Sequence, residues 1–221
     1  MVMRVFLDAE TLPPERDDHL VREKYPDCTD EEYRGLALNP EYGRLLCVGL
    51  IVEIGGKIIH RGVLGRDRAT KLFHLDEART LRALWKLLAP FDQRRDLLIG
   101  FNVLDFDLHY ICTRSVIKKV RPSIDVCFAR YRSRPVFDVM WEFTHWRKKI
   151  SLNDVAEILG LESSKRDGVN GSKVYDLFTE GRHEEIACYC MRDVELTRAV
   201  YHRLNFLEES AGGESGIEPV K

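Results

Sequence analysis

Hydrophobic and polar positions repeat with two different periods along this chain, and the two periods predict a mixture of strands and helices. Short apolar runs predict five strands, over residues 3–8, 44–54, 57–64, 97–101 and 135–139. Gly55 and Gly56 join the second and third of these runs, which is typical of a tight β-hairpin. The later strands alternate with helical segments. We therefore expect an α/β fold with a mixed central sheet of about five strands, flanked by helices.

Helical periodicity is clearest over residues 76–88, where Asp76 precedes an i, i+3, i+4, i+7 series formed by Leu81, Leu84, Trp85 and Leu88. Further helices are expected over residues 107–118, 139–146, 151–160 and 184–208, with Ser151 and Ser172 as caps. The acidic stretch 13–42 is predicted to be an insertion after the first strand, with a short helix at 17–24. Residues 211–221 are predicted to be a disordered tail.

The composition describes an ordinary soluble protein and excludes several classes. Hydrophobic residues make up 44% and charged residues 32% of the 221 residues, which suits one domain over residues 1–210. No apolar run approaches the roughly 18 residues of a membrane span and no signal peptide is visible, so we expect a cytoplasmic protein without membrane contact. The six cysteines include no C-x-x-C pair, and the seven histidines show no ligand spacing. Neither a disulfide framework nor a zinc site is expected.

The net charge of −2 conceals an acidic segment and a basic segment. Residues 1–45 carry eleven acids against six bases, whereas residues 114–149 carry ten bases against three acids. Aromatic residues are interleaved with these bases, among them Phe128, Tyr131, Trp141 and Trp146. This pattern is compatible with a solvated surface. It is equally compatible with a nucleic-acid track, on which bases of the strand stack and phosphates meet the cations.

Two acids lie one residue apart at the end of the first predicted strand, in the stretch VFLDAET. Asp8 and Glu10 would point to one side of a strand, where like charges repel unless a cation lies between them. The same spacing recurs at residues 30–32 and 193–195, so it identifies no site by itself. Asp107 follows the fourth strand, at the sheet edge where ligands of α/β proteins gather. Tyr189 and Asp193 share one face of the last helix.

Taken in chain order, these residues resemble the motifs of the DEDD exonucleases, in the tyrosine-type branch that includes the proofreading domain of family B DNA polymerases. The motifs are D-x-E, N-x3-F-D and Y-x3-D, carried by Asp8 and Glu10, by Asn102, Phe106 and Asp107, and by Tyr189 and Asp193. The second and third patterns occur nowhere else in the chain. The resemblance runs from residue 2 to residue 207, is closest to stand-alone bacterial predicted exonucleases, and implies a ribonuclease H-like fold. The histidine-type motif is missing, since position 188 is Cys188.

The resemblance implies a 3′-5′ exonuclease that uses two divalent metal ions, Mg²⁺ or Mn²⁺. Asp8 would bridge both ions, Glu10 and Asp193 would complete the site beside the attacking water, and Asp107 would help to hold the second ion. Tyr189 would orient the water, because a phenol with a pKa near 10 is a poor base at neutral pH. Hard cations with oxygen ligands are well suited to the charge that develops in phosphodiester hydrolysis.

The implied substrate is the 3′ end of single-stranded DNA or RNA, with DNA favoured, and the implied product is a nucleoside 5′-monophosphate. Thr11, Leu12, Asn102 and Phe106 would line the site of the terminal nucleotide, with Leu12 packed on its base. The candidate substrate track in the basic segment consists of Lys118, Lys119 and Arg121. Two alternatives stay open: an exoribonuclease on the same scaffold, and a non-catalytic nucleic-acid-binding module or polymerase accessory. Any proofreading would serve a polymerase or repair partner.

Two neighbouring acids complicate the assignment. Asp105 lies two residues before Asp107, and only the N-x3-F-D spacing selects Asp107 as the motif acid. Asp138 follows the last predicted strand and resembles an acidic position of the family. A structural cap is the preferred interpretation of Asp138.

Overall fold

A computed structural model describes residues 1–162 and 171–207 and contains one five-stranded mixed sheet. The strands are β1 (Met3–Leu12), β2 (Arg44–Ile54), β3 (Lys57–Leu64), β4 (Leu97–Gly100) and β5 (Val136–Asp138), in the order β3-β2-β1-β4-β5. β1, β2 and β3 are antiparallel neighbours, whereas β4 is parallel to β1 and β5 is parallel to β4. This arrangement confirms the predicted mixed sheet of a ribonuclease H-like fold.

The described residues also form eight α-helices, in agreement with most of the helical segments expected from the sequence. They are α1 (His19–Lys24), α2 (Asp30–Gly35), α3 (Glu77–Leu88), α4 (Asp107–Ile117), α5 (Val139–Thr144), α6 (Leu152–Ile158), α7 (Val174–Thr179) and α8 (His183–Leu204). Asp76 and Ser151 cap α3 and α6 as predicted. No helix in this described part is both long and apolar enough to cross a membrane.

Helices cover both faces of the sheet, and the side chains of β1 contribute to the hydrophobic core on each face. Val5 and Leu7 belong to a core built with α3 and α4, whereas Phe6 belongs to a second core built with α6 and α8. Side chains of a strand alternate between its faces. Asp8 and Glu10 therefore share the side of Phe6 and point toward α8.

The N-terminal region differs from the prediction in two places. β1 continues to Leu12 instead of ending at Asp8, because residues 9–12 remain paired with β2. The first two acids therefore lie within the strand, not at its tip. The predicted insertion contains a second helix, α2, which begins at a capping box formed by Thr29 and Glu32. That signal is visible in the sequence and explains the D-x-E spacing at residues 30–32.

The C-terminal helices also differ in detail from the prediction. Ser172 lies in a 3₁₀ turn over Gly171–Lys173, and Lys173, not Ser172, is the residue before α7. α8 spans His183–Leu204, whereas residues 184–208 were expected. Residue 208, the expected domain boundary at 210 and the predicted tail at 211–221 lie outside the described residues.

A buried ion pair joins α3 to α4 and to the start of β2. The Glu77 carboxylate accepts hydrogen bonds from Arg114 Nε at 2.8 Å and Nη2 at 2.6 Å, and from the Leu45 backbone N–H at 2.8 Å. Both charged side chains are nearly inaccessible, at 3% and 5% exposure. Burial alone would raise the pKa of Glu77, but the bonds from Arg114 hold this pKa below its ordinary value. Lys118 Nζ adds a more exposed partner at 2.9 Å.

We expect Arg114→Met to lower the free energy of unfolding by about 3–5 kcal/mol, because it leaves the Glu77 charge buried without its main partner. Lys118→Met should cost only about 0–1 kcal/mol, because Lys118 is partly exposed to solvent. Urea denaturation at neutral pH measures both changes. Equal losses would contradict the assigned roles of the two bases.

The same pair has a pH dependence with a defined sign. Because the pKa of Glu77 is lowered in the folded protein, its contribution is present above the ordinary carboxyl pKa and is lost as the pH falls through the folded-state pKa. The stability difference between the native protein and Arg114→Met should therefore shrink in acid. A difference that stays constant down to acid unfolding would show that the pair does not stabilise the fold.

Candidate active site

β1 and β2 position the first two acids. Asp8 is paired with Gly49 of β2, Glu10 is paired with Cys47, and the register shifts immediately after Glu10. One ligand atom from each acid and the sulfur of Cys190 all lie within 4.8 Å of one another. Glu10 is buried, whereas Asp8 is partly exposed, so solvent reaches the pair at Asp8.

α8 approaches this part of the sheet closely because β2 carries a glycine there. A side-chain carbon on Gly49 would lie 2.7 Å from the Cys190 sulfur, closer than such atoms pack. Cys190 Sγ lies 3.7 Å from the Asp8 backbone oxygen, to which it donates a hydrogen bond. Tyr189 and Asp193, one turn apart on α8, reach the same region. The Asp193 charge acts on Asp8, and the Tyr189 phenol is hydrogen-bonded to Asp193.

The fourth acid, Asp107, follows the loop that leads from β4 to α4. Asp107 is the first residue of α4, and its Oδ1 accepts a hydrogen bond from the Ala9 backbone N–H at 2.8 Å. Ala9 separates Asp8 from Glu10, so this bond brings Asp107 against the middle of the first motif. Asp107 is only 2% exposed. Acids from β1, α4 and α8 thus meet at one place, although they are distant in sequence.

Burial and mutual repulsion raise the pKa values of these acids. Burial, followed by the charge of Asp193, raises the pKa of Asp8 to about 8. Burial, followed by the charge of Asp8, raises the pKa values of Glu10 and Asp107 well above their ordinary range. Like charges held this close disfavour the ionised forms of one another. A cation bound between them would remove this penalty.

The donor set suits a hard divalent cation. Carboxylate oxygens are preferred by Mg²⁺, Mn²⁺ and Ca²⁺, whereas soft metals favour thiolates. Cys190 is the one soft group in the cluster, but a hydrogen bond with Cys47, together with burial, raises the pKa of its thiol well above the ordinary value. A protonated thiol is a poor ligand. The four carboxylates are therefore the groups that would hold a cation.

Tyr189 is positioned to form hydrogen bonds and not to accept a proton. It is only 9% exposed, and its pKa is raised by burial, then by the charges of Glu10 and Asp193. A phenol in this environment stays neutral at physiological pH and keeps its hydrogen-bonding capacity. The turn before α7 lies beside it, since a side-chain carbon on Gly171 would be 4.0 Å from the phenol oxygen.

Asp138 fixes the loop that leads from β4 to Asp107. Its buried carboxylate accepts hydrogen bonds from four backbone N–H groups, those of Asn102, Leu104, Met140 and Trp141. The last two bonds cap α5 and confirm the interpretation of Asp138 as a structural cap. Burial raises the pKa of Asp138 to about 6. The additional bonds to the β4–α4 loop are not visible in the sequence.

Asn102 and Phe106 border the acids within this loop. Asn102 has a φ of 57°, a left-handed conformation in which asparagine is enriched. Its side-chain oxygen is buried and makes no hydrogen bond within the described residues. Phe106 precedes α4, is partly exposed, and has its ring centroid 5.6 Å from that of Tyr110. Contact of Asn102 and Phe106 with a nucleotide stays a prediction.

Asp105 and Asp107 face different surroundings despite their proximity in sequence. The Asp105 carboxylate forms ion pairs with Arg130 and, at 3.6 Å, with Lys149. The Asp107 carboxylate instead points to the backbone of β1. The structure therefore places Asp107, and not Asp105, among the other acids.

Thr11 and Leu12 continue β1 beyond the acids. Thr11 is 8% exposed, and Leu12 is completely buried in a cluster with Leu46 and Phe73 that α7 and α8 complete. A side chain without exposed surface cannot pack on a nucleobase. The burial of Leu12 therefore contradicts its predicted contact with the terminal base, because local sequence does not show that two distant helices cover it. Contact of Thr11 with substrate stays a prediction.

The three bases of the predicted substrate track lie away from the acids. Lys118 follows the end of α4, eleven residues after Asp107, which corresponds to about 16 Å along a helix. Lys118 is paired with Glu77, and Lys119 and Arg121 border a shallow hollow beside α3. The structure does not bring these bases to the acidic cluster. Their role in substrate binding stays a prediction.

A family model described as a predicted 3′-5′ exonuclease related to the exonuclease domain of PolB matches residues 57–216 of the chain. The matched region includes Asp107, Tyr189 and Asp193, and it begins after the strand that carries Asp8 and Glu10. A search of curated proteins gave no match.

Among solved structures, the chain is similar to the Saccharomyces cerevisiae Pan2 pseudoubiquitin hydrolase-RNA exonuclease module. The complex of that module with AAGGA RNA is 17% identical with a TM-score of 0.48, over 95% of this chain and 30% of that chain. The complex with AAGGAA RNA is 16% identical with a TM-score of 0.42, over 93% of this chain and 33% of that chain. This chain thus spans about a third of the Pan2 module's length.

We expect Mn²⁺ to raise the unfolding temperature of the protein, because a cation that binds only the folded state stabilises it. Asp107→Asn should raise the unfolding temperature in EDTA, since it removes one repelling charge, and should reduce the response to Mn²⁺. Asp105→Asn is the matched control and should keep the full response. Differential scanning fluorimetry over a Mn²⁺ titration measures all three proteins. Identical curves for the two variants would place the cation away from Asp107.

Proposed function

We propose that this chain, which belongs to the family of predicted 3′-5′ exonucleases related to the exonuclease domain of PolB, removes nucleotides one at a time from the 3′ end of single-stranded nucleic acid. Membership of this family identifies the protein as an enzyme, namely a 3′-5′ exonuclease that acts on nucleic acid. The proposal adds the form of the substrate, the products and the roles of individual residues. DNA is the favoured substrate, because of the relation to a DNA polymerase exonuclease.

One observation carries the proposal: four carboxylates converge at one place, where burial and then the neighbouring charges raise the pKa values of Asp8, Glu10 and Asp107. A fold does not gain stability from such a cluster. The cluster becomes useful when divalent cations bind to it. Mg²⁺ or Mn²⁺, held there by Asp8, Glu10, Asp107 and Asp193, would neutralise charge on the scissile phosphate and lower the pKa of the attacking water. We propose a two-ion site on this basis.

The protein's own groups position the reactants. Tyr189 donates its phenolic proton toward Asp193 and keeps its oxygen lone pairs for a hydrogen bond from the water. That bond turns a lone pair of the water toward the phosphorus. The water oxygen forms a bond to phosphorus, and the bond to the 3′ oxygen of the preceding nucleotide breaks. The products are a nucleoside 5′-monophosphate and a chain with a new 3′ hydroxyl.

The central prediction is stepwise digestion of single strands from the 3′ end. A 5′-labelled oligonucleotide with Mg²⁺ or Mn²⁺ should give a ladder of shortened products, and the released material should be nucleoside 5′-monophosphates. EDTA and Asp8→Ala should both abolish the reaction, since EDTA removes the cation and the substitution removes one of its ligands. Denaturing gels and chromatography of the mononucleotides measure it. Digestion from the 5′ end, or undiminished activity of Asp8→Ala, would refute the proposal.

Matched DNA and RNA oligonucleotides in the same assay decide between the favoured substrate and the alternative one. We expect faster digestion of DNA. Faster digestion of RNA would identify an exoribonuclease on the same scaffold and would leave the cation site and the direction of digestion unchanged.

Tyr189→Phe tests the orienting role of the phenol. The variant keeps the ring and its packing but loses the hydroxyl, so kcat should fall by about 10²-fold, while KM and the Mn²⁺-induced rise in unfolding temperature should be retained. Steady-state kinetics on the oligonucleotide and scanning fluorimetry separate these effects. An unchanged kcat would exclude Tyr189 from the alignment of the water.

A further inference from the structure

Three aromatic rings form a row at the carboxyl end of β5. The ring centroids of Tyr131 and Trp146 are 4.9 Å apart, and those of Trp146 and Trp141 are 5.5 Å apart with an interplanar angle of 2°. The row begins at buried Trp141, continues through partly buried Trp146 and ends at Tyr131, which is 76% exposed. The fold thus anchors the inner ring and presents the outer ring to solvent.

The backbone adopts a rare conformation at the two residues that carry the outer rings. Tyr131 has a φ of 59° and Trp146 a φ of 61°. Bulky residues seldom occupy this left-handed region. Such conformations persist where the surrounding structure fixes them, and they concentrate at ligand-binding sites. Packing does not account for Tyr131, because about three quarters of its surface is exposed.

Cationic residues flank the aromatic row in sequence. Arg130 and Lys149 both pair with the single carboxylate of Asp105, so a net positive charge remains on this group. Further bases next to Tyr131 and Trp146 in sequence are exposed, among them Arg132, Arg147 and Lys148. Exposed rings among excess bases are typical of surfaces that bind single-stranded nucleic acid.

The row lies beside the candidate active site. β1, β4 and β5 are successive parallel neighbours, so their carboxyl ends share one edge, and β5 lies about 10 Å from β1. Asp105, which pairs with the bases, is two residues from Asp107. Asp138 at the end of β5 binds both the loop before Asp107 and the helix that carries Trp141. The rings and the acids are therefore held by one framework.

We propose that Tyr131 and Trp146 form a stacking subsite for nucleobases on the 5′ side of the terminal nucleotide, with Arg130 and Lys149 close to the adjoining phosphates. The inference rests on the proposed function, since it supplies the binding surface for the strand whose end reaches the acids. It also assigns the aromatic half of the basic segment, rather than residues 118–121, to the strand next to the site. Recognition by stacking requires no particular base sequence.

The test compares two substrates that differ in how far they extend. A short single-stranded oligonucleotide reaches the aromatic row, whereas thymidine 5′-monophosphate p-nitrophenyl ester occupies only the terminal site. Tyr131→Ala should raise KM for the oligonucleotide about ten-fold, with little change in kcat, and should leave hydrolysis of the ester unchanged. Tyr131→Phe should behave like the native protein. An unchanged oligonucleotide KM in Tyr131→Ala, or equal losses on both substrates, would overturn the subsite.

Phe206→Ala is the matched control for loss of an exposed ring. Phe206 is 93% exposed and also has a positive φ, of 51°, but it follows the far end of α8 from Tyr189. Its substitution should leave both substrates unaffected. An effect on the oligonucleotide equal to that of Tyr131→Ala would show that any exposed ring contributes, and would overturn the specific assignment.

Binding measured without catalysis separates this inference from the proposed reaction. In EDTA, fluorescence anisotropy of a labelled single strand should show tight binding that Tyr131→Ala weakens about ten-fold. Arg130→Gln combined with Lys149→Gln should flatten the salt dependence of binding more than Lys119→Gln combined with Arg121→Gln. If the strand binds in this way but is not hydrolysed with any cation, the proposed reaction fails while the subsite stands. Binding that is insensitive to Tyr131 overturns the subsite whatever the activity.

Discussion

Repulsion between buried carboxylates is the constraint on which this structure depends. Asp8 and Glu10 share one face of β1, and α4 and α8 bring two further acids to the same place. Burial alone would raise the pKa values, and the neighbouring charges raise them further. The fold tolerates this arrangement because rigid elements impose it: a central strand paired on both sides, and a helix brought close by Gly49. A cation bound among these acids would relieve the repulsion between them.

Two buried acids lie at the carboxyl ends of the parallel strands, next to the site. Asp138 and Asp107 are both buried acids, yet they have opposite tasks. The Asp138 carboxylate accepts hydrogen bonds from four backbone N–H groups and so has a structural role. Asp107 accepts a hydrogen bond from the Ala9 backbone N–H of β1 and keeps lone pairs for another partner. This difference in hydrogen bonding, more than burial or pKa, separates a structural acid from a candidate ligand.

The sequence predicts secondary structure best where a local pattern alone determines the element. The Gly55-Gly56 hairpin and the bounds of β2 and β3 were predictable, because turn chemistry and apolar runs agree there. The end of β1 was not, since pairing with β2 extends the strand through polar residues. The burial of Leu12 and the pairing of Lys118 with Glu77 depend on elements far away in the chain, and no local pattern reports them. The Thr29 capping box is a local signal of the same kind, because Glu32 follows Thr29 by three residues.

The proposed substrate is a polyanion, and it would have to approach an acidic site. The uneven distribution of charge along this chain would make that approach favourable. Phosphates are repelled by the four carboxylates until cations bind, and the whole protein carries a net charge of −2. Attraction must therefore come from nearby bases that the carboxylates do not neutralise. Arg130 and Lys149 meet this requirement, because they outnumber their single partner, Asp105, and lie on the same edge of the sheet as Asp107. In the proposed subsite, stacking on Tyr131 would add attraction that does not depend on charge, so a strand would be held there before its end reaches the acids.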